Sequence, residues 1–481
     1  MNKLYLFGIG GTGTRVIRSL TMILASGVRC GSTDTIIPIL IDPDQANGDL
    51  TRTITLLNTY KQIRKGLTFG GNAQSDFFRM NLDDGGVNFR MPVANVSGKT
   101  FEQYIDYSTL DKNNKALISL LFSDDNLSSD LDVGFKGNPN MGSIVLNNFN
   151  NGSLKDVLVN FQDGDRIFII SSIFGGTGAA GFPLLLKTLR QVSAPQYNNS
   201  QYIKNATIGA ITVLPYFGVK SDAKSKIQMQ TFISKTKSAL VYYENNIDVD
   251  ALYYITDKLT SSYNNNEGSI AQINNAHFVE LASALAIVDF LRDNTISHNG
   301  QPVYKEFAIV NDDDPVSLKS LCMSTRNVLS RNLTQMFFMS VFCSYNINES
   351  LKHAWAEDKI DNSDMTKTGF SELLNFLSDN GQHDGFLRWL KELASNSRAF
   401  APYDLGTATQ DFLHSIVGFE PPKPKLLKKL FHTELKGFDA LEDQMERVSI
   451  GLKDKGMSKM DYFMSVFYQA TSELIKNKFN L

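Results

Sequence analysis

Ile167-Phe168-Ile169-Ile170-Ser171-Ser172-Ile173-Phe174-Gly175-Gly176-Thr177-Gly178-Ala179-Ala180-Gly181-Phe182 is the stretch that decides how this chain folds. A short apolar run ending in small residues has the pattern of a buried strand, and Leu184-Leu185-Leu186-Lys187-Thr188-Leu189 beyond the glycines has helical character. A glycine-rich turn between strand and helix exposes backbone N–H groups at the positive end of the helix dipole, which makes a cradle for phosphate. Gly175, Gly176 and Gly178 bring backbone close to an anion where a Cβ would collide, and Thr177 adds a hydroxyl donor. The plainer reading is a tight turn whose glycines serve packing. No Lys-Ser or Lys-Thr follows, so the loop is not of the Walker type.

The same arrangement opens the chain. Residues 3–7 form a strand, and Gly8-Ile9-Gly10-Gly11-Thr12-Gly13-Thr14 turns into a helix carrying Val16, Ile17, Leu20, Ile23 and Leu24. The spacing Gly8-x-Gly10-x-x-Gly13 satisfies the dinucleotide fingerprint, with Asp42 following a strand at residues 36–41. Alone, it fits a Rossmann dehydrogenase, an adenylating enzyme or any nucleotide-binding α/β fold, and Asp42 is equally a turn or helix cap. A third glycine loop, Val133-Gly134-Phe135-Lys136-Gly137-Asn138-Pro139-Asn140-Met141-Gly142-Ser143, precedes a short helix, and Lys136 there is suited to neutralise phosphate.

Composition sets the class. With 481 residues, 42% hydrophobic and 20% charged, the chain is globular and long enough for more than one domain. A net charge of −3 and a pI near 6.1 give no electrostatic reason to expect nucleic acid. Cys30, Cys322 and Cys343 match no metal or disulfide spacing, and six scattered histidines make no zinc constellation, so no metal ligands are assigned and a cytoplasmic protein is expected. No signal peptide and no apolar run of membrane-spanning length are recognised.

Between the glycine loops, residues 50–67 hold a helix and residues 68–130 read as a polar insertion in the sheet. Further strands fall at residues 206–214 and 251–255, with a helix at 222–243 between them. Residues 275–288 are apolar nearly all round, which marks a buried central helix. Strands alternating with helices predict an α/β fold, a doubly wound and mostly parallel sheet, followed by a largely helical C-terminal region. In that region a long amphipathic helix starts near Leu318, and a terminal helix carries Met460, Phe463, Met464, Phe467, Tyr468, Leu474 and Ile475 on one face. These Met and Phe stripes read as core.

Three glycine loops in the order Gly-x-Gly-Gly-Thr-Gly, Gly-x-x-Gly-Asn-Pro and Gly-Gly-Thr-Gly-x-x-Gly are two more than the single phosphate loop of a Rossmann enzyme. In this order they resemble the tubulin/FtsZ superfamily of GTPases, over roughly residues 3–293. Val213-Leu214-Pro215-Tyr216-Phe217 looks like that family's strand ending beside the ribose, and Thr256-Asp257-Lys258-Leu259 like its Asn-Asp-Lys-Leu end. The resemblance implies nucleotide contacts from Gly10, Gly11, Thr12, Gly13, Asp42, Lys136, Gly137, Asn138, Gly175, Gly176, Thr177, Gly178, Pro215 and Asp257. Ala282 and Ser283 stand where the family's guanine-reading Asn-Asp pair would fall, leaving Asn275 and Glu280 as the nearest candidates, although Glu280 also reads as a hydrogen-bonded buried carboxylate.

The resemblance further implies GTP or GDP with Mg²⁺, head-to-tail self-assembly into filaments, and hydrolysis at a site completed by the next subunit. Asp312, Asp313 and Asp314 are the catalytic candidates, with Asp289 and Asp293 as the alternative; the plainer reading of the first three is a helix cap. The implied domains are 1–293 for nucleotide, 294–345 as a connecting strand and long helix, and 346–481 as a helical region. That last region departs from the family and is expected to meet a protein or membrane-associated partner. A Rossmann-type NAD-dependent oxidoreductase and a non-polymerising nucleotide-binding module are the competing functions.

Overall fold

The structure is a computed structural model and describes the chain apart from residues 1, 136, 148–152, 220–228, 259–260, 264–269, 271, 309–314, 380–383, 420–436, 454 and 480–481. Strands β1 (Lys3–Ile9), β2 (Thr35–Ile41), β3 (Asn81–Leu82), β4 (Arg166–Ser172), β5 (Thr207–Val213), β7 (Ala251–Thr256) and β9 (Val303–Ala308) form one sheet in the order β3-β2-β1-β4-β5-β7-β9. A separate pair joins β6 (Phe217–Val219) and β8 (Ser261–Tyr263). Every pairing in the large sheet is parallel, for example Gly8 beside Leu40 on one side and Ile170 on the other. Parallel strands covered by helices on both faces bury nearly all their side chains. Accordingly β1, β2, β4 and β5 are buried from their second residue onward.

The connections are helical: α1 (Gly10–Ala25), α2 (Gly48–Lys65), α3 (Pro139–Leu146), α4 (Gly176–Arg190), α5 (Met229–Asn246) and the central α6 (Phe278–Arg292). Helix α2 begins where the Asn47 side chain accepts from the Asp49 and Leu50 amides, and it ends on Arg64 and Lys65, as the helix dipole favours. Helix α6 opens on a reciprocal cap in which Nδ1 of His277 accepts from Val279 N–H and Glu280 accepts from His277 N–H. From β1 the chain winds one way through β2 and β3, and the other way through β4, β5, β7 and β9. The order therefore reverses between β1 and β4, and the crevice outside the C-terminal ends of these two strands is where doubly wound sheets bind ligands.

The helical region is built on α7 (Met323–Tyr345), α8 (Phe370–Leu377), α9 (Phe386–Ser395) and α10 (Lys459–Phe479). Leu329, Leu333, Met336 and Phe337 of α7 are buried, and the Phe337 ring stacks on Tyr403 at 4.0 Å between centroids. Helix α10 lies beside α7, where Gln335 donates to the Tyr468 carbonyl and the Thr471 hydroxyl, each at 3.0 Å. Phe463, Met464, Phe467 and Ile475 are buried, so the terminal stripe is core, as its pattern predicts.

The segment at residues 68–130 does more than loop out of the sheet. It supplies the edge strand β3, and its Phe77 and Phe78 rings meet Tyr468 of α10 and Phe376 of α8 at 5.4 and 5.0 Å. One continuous hydrophobic core runs from the sheet into the helical region.

Candidate functional site

All three glycine loops meet at the switch point. A Cβ at Gly10 would lie 3.4 Å from Cβ of Thr177, so the loop after β1 touches the loop after β4. A Cβ at Gly176 would lie 2.9 Å from Cβ of Phe135 and 3.2 Å from the amide nitrogens of Gly137 and Asn138. The Gly-Asn-Pro loop is thus packed directly on the Gly-Gly-Thr-Gly loop, with no room for a side chain between them. Helices α3 and α4 are as close, since a Cβ at Gly142 would meet Ala180 Cβ at 2.8 Å.

The glycines differ in what they do. Gly13 serves packing: a Cβ there would sit 2.5 Å from the Gly8 carbonyl carbon, so its absence lets α1 lie against β1. Gly10, Gly11 and Thr12 instead open α1, and Gly176, Thr177 and Gly178 open α4. At both helix starts the preceding residue, Ile9 or Gly175, makes no side-chain cap. The first N–H groups of an α-helix have no partner within the helix and carry its positive dipole end. Two such ends side by side, lined by glycine, suit the phosphates of a nucleotide. Asn138 has a shaping role: its side chain caps α3 at the Asn140 and Met141 amides, and its own N–H donates to the Phe135 carbonyl at 2.7 Å.

Several predicted residues have internal partners. Glu280 is buried, and its Oε1 accepts from Arg15 Nε at 2.6 Å and from the Tyr216 hydroxyl at 3.0 Å. Arg15 also reaches Asp49 at 3.4 Å, and these partners outweigh its burial and hold the guanidinium firmly charged. Asp257, fully buried, takes a two-pronged contact from Arg398 at 2.9 and 3.1 Å. Asp42 accepts from the Asp44 amide at 3.0 Å, and burial away from water pushes its carboxyl up to about 7. These are the contacts of the plainer readings for Glu280 and Asp42. Pro215 is half-buried and Asn275 exposed.

Lys136, Asp312, Asp313 and Asp314 lie outside the described residues. Strand β9, which leads toward the three aspartates, ends at Ala308 on the same sheet edge as the glycine loops, because it runs parallel to β7. Asp289 and Asp293 stand at the other edge, at the far end of α6, where Lys305 bonds them at 2.5 and 3.4 Å. A 15-residue helix is about 22 Å long. Measured from its start, Asp289 is about 16 Å along the helix and Asp293 about 22 Å.

Two kinds of residue escape a reading of the sequence. Arg15 has a faint local signal, a charge among the apolar residues of α1, which demands a buried partner. Lys235 on α5 has none: its ammonium donates to the Gly137 carbonyl at 2.5 Å, 98 residues away in sequence.

The geometry defines a doubly wound α/β protein whose three glycine loops converge at the switch point of its parallel sheet. No family model matches the chain, and no curated protein does. Among solved structures it is similar to CetZ from Methanosaeta thermophila strain DSM 6194, with 15% identity over 61% of this chain and 52% of that one and a TM-score of 0.25. It is similar to the GTPγS-bound protofilament of CetZ2 from Haloferax volcanii at 12% identity, over 61% of this chain and 58% of that one, with a TM-score of 0.31. For the empty FtsZ dimer of M. jannaschii the identity is 14%, over 62% and 57% of the two chains, with a TM-score of 0.29. The matched region thus spans little more than half of those chains.

Proposed function

We propose that this chain is a tubulin/FtsZ-like nucleotide-binding protein that holds GTP or GDP across the strand ends and assembles head to tail into filaments, with hydrolysis coupled to assembly. The convergence of the three glycine loops on two uncapped helix starts carries the binding reading. Phosphate oxygens would take the amide groups of Gly11, Thr12, Gly176, Thr177 and Gly178, and the Thr177 hydroxyl. Mg²⁺ accompanying a triphosphate draws its ligands largely from phosphate oxygens and waters. Among the described residues no group of three or more His, Cys, Asp or Glu is arranged for a metal.

The position of the acids supports the assembly reading. A base that orients the attacking water must lie within hydrogen-bond reach of it. Asp289 and Asp293, about 16 and 22 Å along α6 from its start, are too far within one chain, but a second copy stacked with its far edge on the glycine loops would deliver them. The oxidoreductase alternative needs Asp42 to receive a ribose, and that carboxyl is buried against Asp44.

The test is calorimetric titration of the purified protein with GTP, GDP, ATP and NAD, followed by light scattering after GTP addition. Binding of GTP and GDP with a rise in scattering is expected. NAD binding in their place would replace this reading with the oxidoreductase. GTP binding without scattering would leave a nucleotide-binding module that does not polymerise.

A further inference from the structure

We propose that Lys235 is the residue by which this site distinguishes a nucleoside triphosphate from a diphosphate; the proposal rests on the nucleotide reading above. Lys235 lies on α5, half-buried, with its Nζ 2.5 Å from the carbonyl oxygen of Gly137 in the Gly-Asn-Pro loop. Across one peptide unit the carbonyl oxygen and the next nitrogen are about 2.2 Å apart, so the ammonium is within about 5 Å of the Asn138 amide nitrogen. That nitrogen in turn is 3.2 Å from the Cβ position of Gly176, at the start of α4. The cation therefore stands beside the Gly-Asn-Pro loop where that loop packs on the start of α4.

Its bonding is incomplete. An ammonium has three donors, and the Gly137 carbonyl takes one; among the described residues no carboxylate pairs with it. Burial alone acts on it and disfavours its charged form. Lys61 and Lys305, also half-buried, have carboxylates, Asp84 at 2.6 Å for the first and Asp289 and Asp293 for the second, whereas Lys115 and Lys453 are met by the Ser108 and Ala354 carbonyls but lie away from the glycine loops. A partly desolvated cation with only a carbonyl partner gains most from an arriving anion, because a charge-assisted bond is about twice as strong as a neutral one. The terminal phosphate of a triphosphate supplies that anion and a diphosphate does not. Its arrival would also pull α5 and the Gly-Asn-Pro loop onto the same group, giving the two nucleotide states different loop positions.

The competing explanation is that Lys235 merely staples α5 to the loop. Titration of the full chain with GDP and with a non-hydrolysable GTP analogue separates the two, in the parent, in Lys235→Gln and in Lys235→Arg. Lys235→Gln keeps a donor for the Gly137 carbonyl but removes the charge. It should weaken the triphosphate analogue by about tenfold or more and GDP by less than about threefold, and Lys235→Arg should restore most of the loss. Equal loss for both nucleotides identifies a staple and overturns the proposal. Unchanged triphosphate affinity in Lys235→Gln overturns it while leaving the nucleotide reading intact. A parent that binds neither nucleotide overturns both.

Discussion

Two regions flank α1, and they treat polar groups in opposite ways. At the glycine loops after β1 and β4, helix starts are left without side-chain caps, and a lysine stands beside a lone carbonyl of the third loop. On the other side, buried charges are matched nearly one for one. Asp49, fully buried, receives Arg52 at 2.8 Å, Arg15 at 3.4 Å and the Asn274 side chain at 3.1 Å. Glu392 of α9 receives Arg18 at 2.6 Å, Arg52 at 3.4 Å and the Ala276 amide at 2.9 Å. Burial raises the Glu392 carboxyl, yet Arg18 and Arg52 outweigh it and keep the group below its ordinary value. The matched region is architecture: it ties α1, α2 and the lead-in to α6 onto the helical region. On the function proposed above, the unmatched one awaits the nucleotide.

The largest effect should come from breaking a match. Removing one member of a buried ion pair leaves the other charge without compensation and costs about 3–5 kcal/mol. Asp257→Ala, which takes a fully buried carboxylate from Arg398, should lower the denaturant midpoint. Nucleotide affinity of the protein that remains folded should stay near that of the parent. A variant that unfolds normally yet loses nucleotide would show that Asp257 belongs to the ligand after all.

Next comes a change in the unmatched region. Gly176→Val forces side-chain atoms against Phe135 Cβ and the Gly137 and Asn138 nitrogens. Overpacking of this kind costs about 1–3 kcal/mol. Stability should fall modestly, while nucleotide binding should be lost because the two loops are pushed apart. A stable variant that binds as the parent does would separate the loops from the ligand.

The contrast also explains how far the sequence could be read. Parallel strands buried on both faces leave continuous apolar runs, so β1, β2, β4, β5 and β7 were legible, as were the glycines between strand and helix. Strand β3, with two residues, has no pattern to detect. Matched charges are illegible for a different reason: Arg15 and Glu280 are 265 positions apart, and Asp257 and Arg398 are 141 apart. Nothing local tells a carboxylate whether it will meet an arginine or a ligand. Hence Asp257 reads as a nucleotide ligand from its motif and Glu280 either as a guanine candidate or as a hydrogen-bonded buried carboxylate, whereas Lys235, on an ordinary helix, gives no signal.

Asp42 tests the border between the regions through pH. Burial first, then the nearby Asp44 and Asp49, raise its carboxyl to about 7, against the pull of the Asp44 amide and Arg90. Its folded value is above its unfolded one, so the stability it contributes is complete below the unfolded value near 4 and is lost as pH rises through about 7. Asp42→Asn keeps an acceptor for the Asp44 amide but cannot ionise. The stability of this variant relative to the parent should rise between pH 5 and pH 8 and then level off. A difference that is flat with pH would mean that Asp42 titrates normally.

The smallest effect on the isolated subunit is expected at the far end of α6. Asp289 is 44% exposed and meets Lys305 and the Tyr253 hydroxyl, and exposed ion pairs contribute about 0–1 kcal/mol. Asp289→Asn should therefore unfold like the parent and bind nucleotide with the same affinity, since Asp289 is about 16 Å along α6 from its start. If subunits stack head to tail, the same substitution should nevertheless slow GTP turnover, because the carboxylate that it removes faces the nucleotide of a neighbour. In the parent, turnover per subunit should then climb with protein concentration, as a water positioned by two chains is left unpositioned in one. Turnover that stays flat on a hundredfold dilution would remove the shared site. Turnover that climbs with concentration but ignores Asp289→Asn would keep assembly and move the acid elsewhere, first to Asp293 and then to the aspartates beyond β9.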